Sequence, residues 1–213
     1  MGIEVIDAGD VIKRMGLNDN PDTRESIESN LSGAQKFYEG LLASLFDKGA
    51  GSDIFNPKID FFWDTLPGNI FKLRLRSGFV RASPALTVVY AESLADLATG
   101  TDITAETYLD AVRGIVTLPF GDNEVPTYND KWLKVTYEYG FEKDANGAYV
   151  GEEPPDWLFE AIISYIPGLQ NVQQTTKRAA EAKKLAELSV EHGMQVVAPY
   201  LRKNIPFAYS PVI

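Results

Sequence analysis

The sequence predicts an α+β protein: a mainly helical bundle that carries an antiparallel β insertion and ends in an extended C-terminal tail. Three observations predict it. Apolar residues recur at helical spacing from Ile27 to Phe46 and again from Trp157 to Ile166, whereas between Asp60 and Phe141 they alternate. Two prolines then interrupt the apolar end Ile205-Pro206-Phe207-Ala208-Tyr209-Ser210-Pro211-Val212-Ile213 and exclude a helix there. The expected organisation is a helical bundle from residues 1–56 and 150–193, a β-rich insertion at 57–149 between its second and third helices, and a tail at 194–213.

Val11, Ile12 and Met15 mark a short amphipathic stretch over Asp10 to Leu17, stopped near Gly16. The polar run Asn18-Asp19-Asn20-Pro21-Asp22 breaks the chain. Ile27, Leu31, Ala34, Tyr38, Leu41 and Leu45 then step by four and three, widened by Phe37, Leu42 and Phe46, which predicts one long helix with an apolar face. Asp22 and Glu25 resemble a capping box at its start, and Gly49-Ala50-Gly51 is expected to end it and lead into a linker. Ile70 to Arg76, Leu86 to Tyr90, Gly114 to Leu118 and Trp132 to Phe141 read as strands, with Asp122-Asn123-Glu124 and Asp144-Ala145-Asn146-Gly147 as loop tips. Glu92 to Thr99 fits either a helical turn or a loop. Trp157, Leu158, Ala161, Ile162, Tyr165 and Ile166 predict a helix broken at Pro167-Gly168, and Ala179, Ala182, Leu185, Ala186 and Val190 another, from about Thr175 to His192, with Gly193 as its stop. No internal repeat or low-complexity segment interrupts this order.

Composition excludes much chemistry. The 213 residues contain no cysteine, which removes disulfides, thiolate metal sites and cysteine nucleophiles, and the single histidine, His192, leaves Ser-His-Asp catalysis dependent on that one side chain. Thirty acidic residues against twenty basic ones give a net charge of −10, which repels a phosphate backbone and disfavours sequence-specific DNA binding. Such a charge suits a subunit kept soluble before docking, or a surface over which DNA slides without sticking. No run approaches the roughly 18 apolar residues of a membrane span, and Met1 to Asp7 lacks a signal peptide's order, so an intracellular protein is expected.

Five groups can be weighed as sites. Glu152, Glu153 and Asp156 are carboxylates that an acid-base hydrolase would use, but acidic groups before a helix also favour its positive end, and Pro155 suits its first position. Asn18 to Asp22 offers oxygen ligands without the glycine and glutamate of a calcium loop, so a solvated turn is the simpler reading. Gly49-Ala50-Gly51-Ser52 lacks the following Lys-Ser/Thr of a phosphate loop. His192, before Gly193, reads as a residue at a helix C-terminus. Lys72, Arg74 and Arg76 lie at period two and, with Arg81, form the one basic stripe, either the charged solvent face of an edge strand or a contact to an acidic neighbouring subunit or DNA. No metal or cofactor site is expected.

The order of elements resembles the head-to-tail connector, or adaptor, proteins of tailed bacteriophages. Three pieces carry the resemblance: Val11-Ile12 and Met15, the polar break, and Ile27 to Phe46; the strands Asn69 to Leu73, Phe79-Val80, Leu86 to Val88, Tyr108 to Asp110 and Gly114 to Leu118; and Leu133 to Phe141 followed by Pro155 to Ile162. It spans roughly residues 8 to 192, though each motif is made of common residue types. The resemblance implies a structural virion protein of the neck, assembled in the host cytoplasm as a ring of about twelve copies beneath the portal. It further implies an extended DNA channel, a platform for the tail or a stopper or nozzle protein, no membrane partner, and a C-terminal segment, Ile205 to Ile213, that grips the portal. Alternative readings are a tail terminator or other neck component, or an acid-base hydrolase on a β platform.

Overall fold

A computed structural model describes residues 5–56, 62–63, 71–118, 131–172 and 179–201. The tail from Ile205 to Ile213, the Asp122 to Glu124 loop tip, Asn69-Ile70 and the first residues of the last predicted helix lie outside the described residues. The class is mixed α+β, and the chain divides into two compact units.

The first unit comprises Met1–Leu42 and Phe141–Leu201. Helix α1, Ala8–Met15, is closed at both ends by its own sequence. Asp7 caps it reciprocally with Asp10, and Gly16, at φ 62°, lets the amides of Gly16 and Leu17 return to the Ile12 carbonyl. Helix α2, Pro21–Leu42, begins two residues earlier than the expected capping box. Asn20, not Asp22, is the cap: its side chain accepts from the Thr23 amide at 2.8 Å, and Pro21 takes the first helical position, where no N–H is needed. The helix also ends early, because Ala43 adopts a φ of 50°; Leu45, expected on the apolar face, is instead 52 % exposed. Ile27, Leu31, Ala34 and Tyr38 are buried as the spacing requires.

Helix α3, Asp156–Val172, passes through Pro167-Gly168 rather than breaking there. Proline removes one backbone donor from the ladder, and packing of the preceding apolar turns, with Leu158, Ala161, Ile162 and Ile166 buried, keeps the helix continuous. Helix α4, Ala179–Val197, likewise runs through Gly193. That glycine is a packing residue: a Cβ there would meet the Tyr38 hydroxyl and the Ala161 carbonyl, so its missing side chain is what lets α4 lie close to α2 and α3. Helix α3 packs on both α2 and α4, and α1 on α2.

The second unit, described over residues 43–56, 62–63, 71–118 and 131–140, contains two antiparallel four-stranded sheets. With β1 Gly49–Phe55, β2 Phe62–Trp63, β3 Phe71–Arg74, β4 Thr87–Ala91, β5 Thr101–Asp102, β6 Tyr108–Asp110, β7 Ile115–Leu118 and β8 Trp132–Tyr139, the strand orders are β1-β8-β4-β5 and β2-β3-β7-β6. Alternate residues of both sheets share one core, in which Phe55, Val88, Leu133 and Val135 from the first meet Leu73, Val116 and Leu118 from the second. Leu94–Ala98, open to two readings in the sequence, forms a 3₁₀ turn.

The expected linker at Gly49 to Ser52 is therefore strand. Gly49 pairs with Tyr139 and Gly51 with Tyr137, and a Cβ on either glycine would strike the ring of its partner. The glycines leave room for two tyrosines to lie across β1.

Candidate interaction surfaces

The basic stripe separates into two parts. Leu73 and Leu75 point into the β core while Lys72, Arg74 and Arg76 alternate with them on the other side, as period two requires. Yet β3 is not an edge strand, since β2 and β7 flank it. Burial also lowers the pKa of the Arg74 guanidinium.

Arg76 and Arg81 have internal duties. The Arg76 Nε lies 3.1 Å from Asp53 Oδ1, and its amide donates to Asp53 Oδ2 at 2.8 Å; the Tyr137 hydroxyl donates to that same oxygen at 2.9 Å. Asp53, on β1, is thus a buried acceptor that ties the chain after β3 to both β1 and β8. Arg81 is buried because the bridge between Val80 and Tyr139 draws its segment against the end of β8. Its Nη1 donates to the Gly140 carbonyl at 3.4 Å and its Nε lies 3.9 Å from Glu138 Oε2.

Of the carboxylates before α3, Glu153 and Asp156 are exposed and Glu152 is half-buried. Asp156, the first residue of the helix, has a side chain 90 % exposed and is bound by Arg14 Nη1 at 2.9 Å. His192 lies within α4, not at its end, and its Nε2 is 3.0 Å from Glu160 Oε1 on the solvent side. In the polar break, Arg24 holds both oxygens of Asp19 at 2.6 and 2.7 Å while Asn20 caps α2, so these oxygens serve the chain itself. Among the described residues no cluster of three or more His, Cys, Asp or Glu side chains is arranged to hold a metal ion, and no helix is long and apolar enough to cross a membrane.

Two features escaped the sequence pattern. The short turn from Glu142 to Val150 places Lys143 beside Tyr149, and the Lys143 ammonium, on a side chain 4 % exposed, binds Asp7 Oδ2 at 2.6 Å and Asp10 Oδ2 at 2.5 Å. Tyr149 donates to the Val5 carbonyl at 2.8 Å. Burial pushes the Asp7 carboxyl up, but the Lys143 and Asp10 hydrogen bonds together hold it below its ordinary value. For Lys143 burial works downward and the bonds to Asp10 and Asp7 outweigh it, raising the pKa. The second feature is the face-to-face stack of Trp157 on Tyr200, with centroids 4.0 Å apart and planes 9° from parallel. Neither was legible, because each joins residues far apart in the chain; only the aromatic or charged residue type was visible.

No protein-family model matches the chain, and no curated protein matches it. One solved structure it is similar to is described as "Neck of empty GTA particle computed with C6 symmetry": the TM-score is 0.38 at 14% identity, with 89% of this chain and 92% of that chain covered. A likeness of that degree carries no argument about fold or function.

Proposed function

We propose that this chain is a structural protein of a phage-like neck, a connector or adaptor that forms a ring beneath the portal, extends the DNA channel and offers a docking platform for the tail. The observation that supports it most is the order of elements: a short and a long helix, an antiparallel β unit, then a strand–Gly–Phe turn at Tyr139 to Phe141 leading through Pro155 into α3. This is the order on which the resemblance to the connector family rests. In this reading the helical residues form the bundle body, the β unit is an insertion, and residues 205–213 are the portal grip.

The physical chemistry favours assembly by surfaces. Burying Phe207, Tyr209, Val212 and Ile213 contributes several kcal/mol per subunit at about 25 cal/mol per Å², less the cost of ordering the segment. A ring repeats that attachment around its circumference. Net charge −10 keeps the free subunits apart and suits a channel wall past which DNA moves. The basic stripe of Lys72, Arg74, Arg76 and Arg81 is the proposed contact to an acidic neighbouring subunit or to DNA. A hydrolase role for Glu152 and Asp156 is disfavoured by the solvation of Asp156 and its pairing with Arg14.

The test is electron microscopy of portal rings and of tail tubes, each mixed with the purified chain. A ring of density beneath the portal is the expected result; density only at the end of a tail tube overturns the connector reading in favour of a tail terminator.

A further inference from the structure

We propose that β1 is a self-association edge: in the free chain its outer side pairs, antiparallel and across a two-fold axis, with β1 of a second copy. This pair goes beyond the neck reading. A cyclic ring has no two-fold between neighbours, so the pair belongs to chains not yet placed in a ring.

Length singles out β1. Among the described strands the two sheets end on β1 and β5 and on β2 and β6. Three of these edges are blunted by shortness, β2 and β5 at two residues and β6 at three, whereas β1 runs for seven. Strand β8 occupies one side of β1, and no described strand pairs with the other. The usual guards of such an edge are missing as well. Gly49 to Phe55 contains no lysine or proline, and its register advances residue for residue from Gly49 against Tyr139 to Phe55 against Leu133, so no bulge turns it away. Its one charged residue, Asp53, is buried and engaged by Arg76 and Tyr137, so it does not confront an incoming strand. Lys48, just before the strand, lies 3.8 Å from Glu138 of β8.

The residues of the edge say what fits it. Ala50 and Ser52 are exposed, and Gly49 to Ser52 carries no charge in a chain of net charge −10, so two copies meet here without like charges opposed. A second β1 matches the edge in length. Antiparallel pairing of a strand with itself is also self-complementary, each contact of i with j being repeated as j with i. Glycine sets the register. A Cβ on Gly49 would strike the Tyr139 ring and one on Gly51 the Tyr137 ring, so both rings lie over β1 itself. With Ala50 on the two-fold, Gly49 faces Gly51 of the second copy, and no side chain of β1 separates the rings that approach from the two sides. Because the other edges are short, the association closes at two chains. One strand pair buries less than the roughly 1,200 Å² of a standard interface, so the dissociation constant is expected on the order of 10–100 µM.

The experiment needs no portal. Sedimentation velocity of the full chain from about 5 to 500 µM is expected to show monomer passing into dimer. Ala50→Lys with Ser52→Lys sets lysines against each other across the axis and should abolish the dimer, although it lessens the net negative charge that keeps copies apart. Ala50→Glu with Ser52→Glu should do the same, and mixing the two variants should restore a mixed dimer. The chain has no cysteine, so a single introduced one reports its own contact. Oxidised Ala50→Cys is expected to cross-link, its partner lying about 5 Å away across the axis. Thr136→Cys, exposed on β8 and about three strand spacings from its counterpart, should not. A full chain that stays monomeric at 500 µM overturns the proposal. So does a dimer that survives the folded lysine variant, or cross-linking through Thr136→Cys as fast as through Ala50→Cys. Should circular dichroism show the lysine variant unfolded, the full chain and the two cysteine variants decide.

Discussion

Tyr38 carries a clear residue-scale cost. Its side chain is fully buried in the helical unit and its hydroxyl has no hydrogen-bond partner among the described residues. Burial, with a smaller contribution from Tyr165, pushes its pKa from 10.0 up to about 12. An unpaired buried hydroxyl costs about 1–3 kcal/mol, so Tyr38→Phe is expected to stabilise the protein by about 1 kcal/mol in a urea melt at pH 7. Because the folded pKa exceeds the unfolded one, the stability is complete below pH 10 and falls as the pH rises toward 12; that alkaline limb should be shallower in the Phe variant. Gly193→Ala sets a Cβ against the same hydroxyl and is expected to cost about 1–3 kcal/mol. Combining it with Tyr38→Phe should recover part of that loss, and strict additivity of the two would refute the contact. Lys143→Met leaves two carboxylates without their cation and should cost about 2 kcal/mol, less than the roughly 3–5 kcal/mol of a fully buried pair because Asp7 is half-exposed. Asp7 is depressed below its ordinary 3.8, so its contribution is present above that pH and lost as acid titrates the folded form; the Met variant should melt with a flatter acid limb.

At the scale of elements, the β unit depends on what crosses between its strands. Asp53 accepts from Tyr137 and from the Arg76 amide in a buried setting, and Asp53→Ala should destabilise the protein by about 2–3 kcal/mol by orphaning those donors, measurable as a lowered urea midpoint. This changes how the basic stripe has to be tested. Replacing Lys72, Arg74, Arg76 and Arg81 together would mix lost assembly with lost stability, since Arg76 and Arg81 serve Asp53, Glu138 and Gly140 internally. Lys72→Ser with Arg74→Ser leaves those ties in place. If the stripe contacts a neighbour or DNA, this pair should weaken joining in a salt-dependent manner; unchanged joining would remove that role. The helices teach a related point. Gly193 and Pro167 looked like stops, yet α3 continues past Pro167 after buried turns and α4 past Gly193, which packs against Tyr38 and Ala161.

For the whole molecule, the decisive prediction is deletion of residues 205–213. The shortened chain is expected to keep the melting behaviour of the full protein and to lose joining to portals, as read by sedimentation of mixed samples; normal joining would overturn the portal grip. The sequence by itself determined the α+β class, the apolar faces of α2 and α3, the strand positions β3, β4, β7 and β8, and the absence of thiol chemistry. These are matters of period and residue type, set by 3.6 residues per helical turn and by the two-residue alternation of a strand. Only the tertiary structure decided that Gly49 to Ser52 is a strand beneath two tyrosines, that β3 is interior, that Arg81 is buried, and that Trp157 meets Tyr200. Each of these depends on a partner distant in the chain, as when Tyr137 reaches Asp53 across 84 residues. Local periodicity contains no term for such a contact, because it is the folding of the whole chain that brings the two side chains within bonding distance.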